Sequence, residues 1–166
     1  MKSDLVIRAA SFAAEAHKGQ VRKYTGQPYI VHPVEVMNLV ATVPHTEAML
    51  CAAVLHDTVE DCGVTLEQIK ELFGPEVEDL VFWLTDPPKG ESGLNRAARK
   101  AKCLERMEIA PAQAQTIKLA DLISNTVSIV KYDPDFAVVY LREKAELLKV
   151  LVHGDSTLMA KAKELL

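Results

Sequence analysis

Two histidines and two aspartates in this chain are of the right types to share one divalent ion. His32 follows Tyr29-Ile30-Val31 and precedes Pro33. His56 and Asp57 begin the run His56-Asp57-Thr58-Val59-Glu60-Asp61. Asp121 lies within Lys118-Leu119-Ala120-Asp121-Leu122-Ile123-Ser124-Asn125. Imidazole and carboxylate donors without a thiolate suit a borderline-to-hard cation such as Mn²⁺, Fe²⁺ or Zn²⁺, and lean away from a structural zinc. Four protein donors leave room for water on an octahedral ion. A divalent ion lowers the pKa of such a water enough to supply hydroxide near neutral pH, so the set has the parts for metal-assisted hydrolysis. Each part alone has an ordinary reading: His56-Asp57 as a solvated helix end, His32 as a satisfied histidine at a helix start, and Asp121 as the ion-pair partner of Lys118. Their combination is what points to chemistry.

Further acids accompany the set. Residues four apart share a helix face, which puts Glu60 below His56 and Asp61 below Asp57. Adjacent carboxylates disfavour each other's ionisation, which suits proton transfer. Asn125, four residues beyond Asp121, shares its face. Upstream, the polar loop Lys18-Gly19-Gln20-Val21-Arg22-Lys23-Tyr24-Thr25-Gly26-Gln27 has two glycines that break the helix and let backbone approach a ligand.

The elements that must hold these residues read as helices. The periodicity predicts a helix over about 3–17 through Leu5, Ala9, Phe12, Ala13 and Ala16. Pro33 is expected to open the next helix at its first position, with His32 at its mouth. Thr46 caps a buried helix expected over about 47–60, and Thr65 with Gln68 forms a capping box for a short one. Pro75 restarts the chain. A basic helix carries Arg96, Arg99, Lys100, Lys102 and Arg106. Pro111 opens a long helix to about Lys131, with Ile117, Ala120, Ile123, Val127 and Val130 facing inward. After the break at Asp133-Pro134, two more helices follow, interrupted at Gly154. Thr85 to Gly93, rich in Pro and Gly, reads equally as a functional loop or a plain connector. Five to nine helices around one core predict an all-α, irregular single-domain bundle spanning residues 1–166.

Composition narrows the function classes. With 166 residues and 49% hydrophobic content the chain can bury a sizeable core. A net charge of -4 argues against phosphate-backbone recognition of nucleic acid. Three cysteines, Cys51, Cys62 and Cys103, match no zinc spacing and read as reduced thiols of a cytoplasmic protein, with Cys51 in the core. Asp4, Arg8 and Glu15 interrupt the first helix, so it does not read as a signal peptide, and no apolar run predicts a membrane span. Any of the apolar helix faces could form contacts in a homo-oligomer.

The order His…His-Asp…Asp resembles the HD phosphohydrolase superfamily. Four segments carry a closer resemblance: His17-Lys18-Gly19-Gln20-Val21-Arg22-Lys23, Pro28-Tyr29-Ile30-Val31-His32-Pro33, Leu55-His56-Asp57-Thr58-Val59-Glu60-Asp61, and Lys118-Leu119-Ala120-Asp121-Leu122-Ile123-Ser124-Asn125-Thr126. Together they look like the hydrolase domain of RelA/SpoT-type alarmone enzymes, and the chain length is similar to that of the stand-alone small alarmone hydrolases. The resemblance implies an HD-type helical fold with one Mn²⁺ held by His32, His56, Asp57 and Asp121. It implies a small-molecule nucleotide substrate and removal of the 3′-pyrophosphate of guanosine tetra- or pentaphosphate. The pair matching Glu60 and Asp61 would assist the attacking water. Asn125 would sit near the ribose and 3′-phosphate, with Arg22 against the base and Lys23 beside it. His17 is expected to orient its neighbours, not to ligate. Lys89, Lys100, Lys102 and Arg142 are candidates for distal phosphates, though each is more often a solvated charge. Cys62 stands where many relatives carry Thr, which is expected to alter the surroundings of the acids and not the activity. Two competing readings stay open: an adenosine alarmone as substrate, and a nucleotide-binding regulator without turnover.

Overall fold

The computed structural model describes residues 3–87 and 93–166, and among these every regular element is helical. The described residues group into two compact units, the first ending at Thr85 and the second beginning at Asp86. Residues 88–92, which include Lys89 and most of the Pro/Gly-rich loop, lie outside the described residues.

In the first unit the sequence sets most helix starts through local capping. Ser3 accepts from the Val6 amide to begin α1 (Asp4–Ala16). Thr46 accepts from Met49 to begin α3 (Glu47–Leu55). Thr65 and Gln68 close the expected capping box of α5 (Leu66–Phe73). Pro75 is the first residue of α6 (Pro75–Leu84). The helix between α1 and α3, α2 (Val31–Val40), differs from expectation: Pro33 is its third residue, so His32 lies inside the first turn, not ahead of it. The apolar α3 is the centre of this unit, packed by α1, α2 and α6. Cys51, Ala52, Ala53, Val54 and Leu55 have no exposed surface at all. Burial, with Glu47 adding to it, pushes the Cys51 thiol up to about 11, which fits a core residue and not a reactive one.

A second difference lies where the chemistry does. The helix expected to run to Glu60 stops at Leu55, and a new short helix, α4 (Thr58–Cys62), begins after Asp57. Side chains take up the carbonyls that a continuing helix would have used. His56 Nδ1 donates to the Ala53 carbonyl at 2.7 Å, and Thr58 Oγ1 donates to that of Leu55 at 2.8 Å. His56 and Asp57 both keep right-handed helical backbone at the junction, while the helical hydrogen-bond ladder is interrupted there. The break raises the helix count among the described residues to ten.

The second unit is built on α8 (Ala112–Tyr132), which packs against α9 (Pro134–Val150) and α10 (Ser156–Glu164); α7 (Arg96–Ile109) lies on α9. Gly154 marks the closest approach. A Cβ there would meet Leu119 Cδ1 at 2.6 Å and the Gln115 backbone at 3.3 Å, so any larger residue would force the Leu119 side chain to shift where the α9–α10 connection lies on α8. The Gln115 and Thr116 side chains accept the amides of His153 and Asp155 on either side of it. The inward face of α8 holds at Ile117, Ala120 and Ile123, but Val127 is 57% and Val130 46% exposed, against expectation: periodicity gives a face and not what covers it.

One buried residue of this unit is costly. Lys144 is 1% exposed, and its Nζ has no hydrogen-bond partner among the described residues. Burial lowers its pKa from 10.5 to about 8. The folded chain therefore binds fewer protons than the unfolded chain between those values. Native stability should rise with pH through that window and bear the full penalty below it. Replacing Lys144 by Met, similar in size and uncharged, is expected to stabilise the chain by about 2 kcal/mol at pH 7 and to flatten the alkaline rise. Urea midpoints of the two proteins across that pH range check this.

Candidate metal centre

In the first unit α2 and the end of α3 bring two imidazoles and one carboxylate together. His32 is 1% and His56 4% exposed. His56 Nε2 lies 3.1 Å and His32 Nε2 3.7 Å from Asp57 Oδ2. One donor atom from each of the three residues lies within 4.8 Å of the other two. The imidazole rings meet edge to face at 5.4 Å.

The hydrogen bonds around the three residues prepare them as ligands. A backbone carbonyl only accepts, so His56 carries its proton on Nδ1, where it faces Ala53. The lone pair of the neutral ring is then on Nε2, on the Asp57 side. This outer hydrogen bond is what a metal-binding histidine needs to fix its tautomer and ring orientation. Asp57 is fixed from outside as well: Tyr29 Oη donates to its Oδ2 at 2.6 Å, the short distance of a bond to a charged acceptor. Two buried nitrogens and a carboxylate oxygen sharing one small space fit a borderline-to-hard divalent cation.

Behind Tyr29 stands His17, buried, with its ring 4.8 Å from the phenol ring. His17 Nδ1 donates to Gln20 Oε1 at 2.8 Å, and Gln20 Nε2 donates to the Asp61 carbonyl at 3.2 Å. His17 thus touches the ring whose hydroxyl donates to Asp57. Cys62 Sγ lies 3.2 Å from His17 Nδ1. Burial pushes its thiol up, the hydrogen bond from Gln20 works against that, and Asp61 and Asp57 add to the rise. It remains a thiol at neutral pH and does not compete as a thiolate ligand.

The loop carrying Arg22 and Lys23 is a tight reverse turn. Val21 pairs with Pro28, the Arg22 amide donates to the Gln27 carbonyl at 2.7 Å, and Gly26 supplies a φ of 70°. Arg22 is half-buried, while Lys23 is exposed with its ammonium 5.1 Å from the Tyr24 ring centre. Glu60 and Asp61 both fall in α4, Glu60 half-buried and Asp61 exposed. The Asp61 amide donates to the Asp57 carbonyl at 2.9 Å, which ties this acid to the ligand segment through the backbone.

Asp121 belongs to the second unit, on α8. Asn125 Nδ2 donates to its Oδ1 at 2.9 Å, and Lys118 Nζ to its Oδ2 at 3.1 Å. The Lys118 pairing open from the sequence is therefore made, and so is the shared face with Asn125. Burial disfavours the Lys118 ammonium, but Asp121, foremost among its acidic neighbours, outweighs this and holds its pKa well above the ordinary range. Of the candidate phosphate cations, Lys100 and Arg142 line one cavity of the second unit, and Lys102 is exposed on α7. Tyr29 and Gln20 received no role from the sequence, although both stand in the quoted segments.

Comparisons with known proteins agree with this geometry. Residues 9–138 match the HD domain family. The chain is 38% identical over 141 residues to the guanosine-3′,5′-bis(diphosphate) 3′-pyrophosphohydrolase MESH1 of Xenopus tropicalis, covering 81% of this chain and 76% of that protein. It is 35% identical over 152 residues to a probable guanosine-3′,5′-bis(diphosphate) 3′-pyrophosphohydrolase of Synechocystis, covering 90% of this chain and 20% of that protein. The chain spans about a fifth of the length of such long curated relatives. A solved structure described as a metazoan ortholog of SpoT that hydrolyzes ppGpp superposes with a TM-score of 0.90 at 28% identity, covering 99% of this chain and 95% of that one.

Proposed function

The chain belongs to the HD-domain family, and from that premise we propose that it is a metal-dependent hydrolase of guanosine tetra- and pentaphosphate, removing the 3′-pyrophosphate to leave GDP or GTP. The observation that carries the reading is the convergence of His32 Nε2, His56 Nε2 and Asp57 Oδ2, with the outer partners of His56 and Asp57 already in place. One Mn²⁺ is the proposed ion, with Asp121 as the fourth donor. A carboxylate offers about four lone-pair sites, so one bonded to Lys118 and Asn125 can still accept a cation. The ion would polarise the phosphoryl oxygen and lower the pKa of the attacking water.

The remaining steps fall to side chains. Glu60 and Asp61 take the water proton as its oxygen bonds to the phosphorus on the 3′-oxygen. The bond from that phosphorus to the 3′-oxygen breaks, and the ribose oxygen leaves with a proton. Arg22 stacks on the purine, Lys23 faces phosphate, and Asn125 holds the ribose near its 3′-oxygen.

Tyr29 is the supporting residue with the clearest expected signature. Tyr29→Phe keeps the ring against His17 and removes the donor to Asp57, so Mn²⁺ affinity should fall about 10–100-fold with little change in fold. Calorimetric titration of Mn²⁺ into both proteins reads this directly.

The reaction itself is tested by incubating the full chain with guanosine tetraphosphate, and separately with its adenosine counterpart, with and without Mn²⁺. Release of pyrophosphate and GDP only with the metal is expected. Faster turnover of the adenosine nucleotide would move the substrate assignment. Nucleotide binding with no pyrophosphate released in Mn²⁺ would replace the hydrolase reading with that of a regulator.

A further inference from the structure

The second unit contains a cavity of about 300 Å³ between α7, α8 and α9. Its apolar wall comes from small and branched side chains, among them Ala97, Ala101, Leu104 and Leu147. Its polar side is dominated by cations: Lys100, Lys118, Arg142 and the buried Lys144. Two carboxylates also line it, but both are committed elsewhere. Glu143 takes two hydrogen bonds from Arg96, at 2.8 and 2.9 Å, and Glu146 takes one from Lys149 at 2.6 Å. Lys118 is paired with Asp121. Among the described residues, Lys144 Nζ has no hydrogen-bond partner, and Lys100 and Arg142 make no ion pair. A buried ammonium without a counter-charge is costly, and an anion delivered to the cavity would relieve that cost.

We infer that this cavity is a binding site for a small organic anion, an apolar body with one carboxylate or phosphate end, with Lys144 as the buried counter-charge. The apolar wall selects against bare inorganic phosphate, which would be stripped of water with few donors to replace it. The inference rests on Lys144, which has no part in the proposed hydrolysis; Lys100 and Arg142 are also candidates for the distal phosphates of the nucleotide, so competition by guanosine tetraphosphate separates the two uses.

Pyridoxal phosphate is a suitable probe, because it joins a flat ring and a phosphate to an aldehyde that reports on a nearby amine. Burial lowers the Lys144 pKa to about 8, so part of it is uncharged and nucleophilic at neutral pH. The amine adds to the aldehyde carbon, water leaves, and added borohydride reduces the resulting C=N bond to a stable secondary amine. Peptide mass spectrometry of the full chain should find the adduct at Lys144 ahead of the exposed lysines, and an excess of phenyl phosphate or benzoate should suppress it. Lys144→Met, expected to fold at least as well as the parent, should show at least tenfold weaker binding of phenyl phosphate by calorimetry. Suppression of the label by guanosine tetraphosphate as well would identify the nucleotide as one source of the anion; suppression by the small anions alone would identify a separate ligand. Labelling confined to exposed lysines, labelling of Lys144 that competing anions do not change, or equal affinity in the Met variant would each overturn the inference.

Discussion

Asp57→Ala should abolish hydrolysis while leaving the helical fold intact. Asp57 Oδ2 is the atom that faces both histidines, at 3.1 and 3.7 Å, and receives the Tyr29 hydroxyl at 2.6 Å. Its loss removes a charged donor and leaves two buried imidazoles facing one another, so the ion loses both charge compensation and a ligand. A bound metal supplies several kcal/mol of transition-state stabilisation, and each 1.36 kcal/mol is tenfold in rate, so kcat/KM should fall by at least about 10³. Asp57 lies at a helix junction and its side chain caps no helix, so circular dichroism and the urea midpoint should change little although the side chain is only 16% exposed. Asp57→Asn, which keeps the shape and removes the charge, should lose metal nearly as completely. Retention of Mn²⁺ together with turnover in either variant would remove Asp57 from the proposed centre.

The second large effect separates chemistry from metal binding. Glu60→Gln should lower kcat by about 10²–10⁴, the usual contribution of a general base, and leave Mn²⁺ affinity within a few-fold of the parent. Glu60 lies in α4, one turn beyond the ligand segment and outside the three-residue cluster. Asp61→Asn should act in the same direction. If the two acids serve one proton, the double variant should be no worse than the more damaging single one. A parallel loss of metal and rate in Glu60→Gln would instead make this residue a ligand. Rate measurements and metal titrations on the same preparations distinguish the two.

Much of this site was legible because its residues are local signals. Thr46, Thr65 with Gln68, Pro75 and Pro134 each fix a helix start through their own side chain or ring, so the start is visible wherever the sequence is. His32, His56 and Asp57 could be picked out because imidazole and carboxylate groups in apolar surroundings need a reason to be there. The break between α3 and α4 was not legible. Apolar helical residues run straight up to it, and what ends α3 is the pair of bonds from His56 and Thr58 to the helix's own carbonyls. Spacing does not reveal these. The exposure of Val127 and Val130 was hidden for a related reason: periodicity gives a face but not what covers it. Lys144 sits in the charged run Arg142-Glu143-Lys144, and only its alignment with Ala137, Leu147 and Leu148 along α9 marks it as buried. Tyr29 reads as an ordinary residue before a helix until its hydroxyl is seen on Asp57.

We propose that side chains distant in the sequence, His32, His56, Asp57 and Asp121, take up one common cation. Electron paramagnetic resonance during titration of Mn²⁺ into the metal-free full chain tests it most directly. One tightly bound ion per chain is predicted, with nitrogen couplings that disappear one at a time in His32→Ala and His56→Ala. No tight binding, or an ion whose spectrum is the same in the parent and both histidine variants, would contradict it.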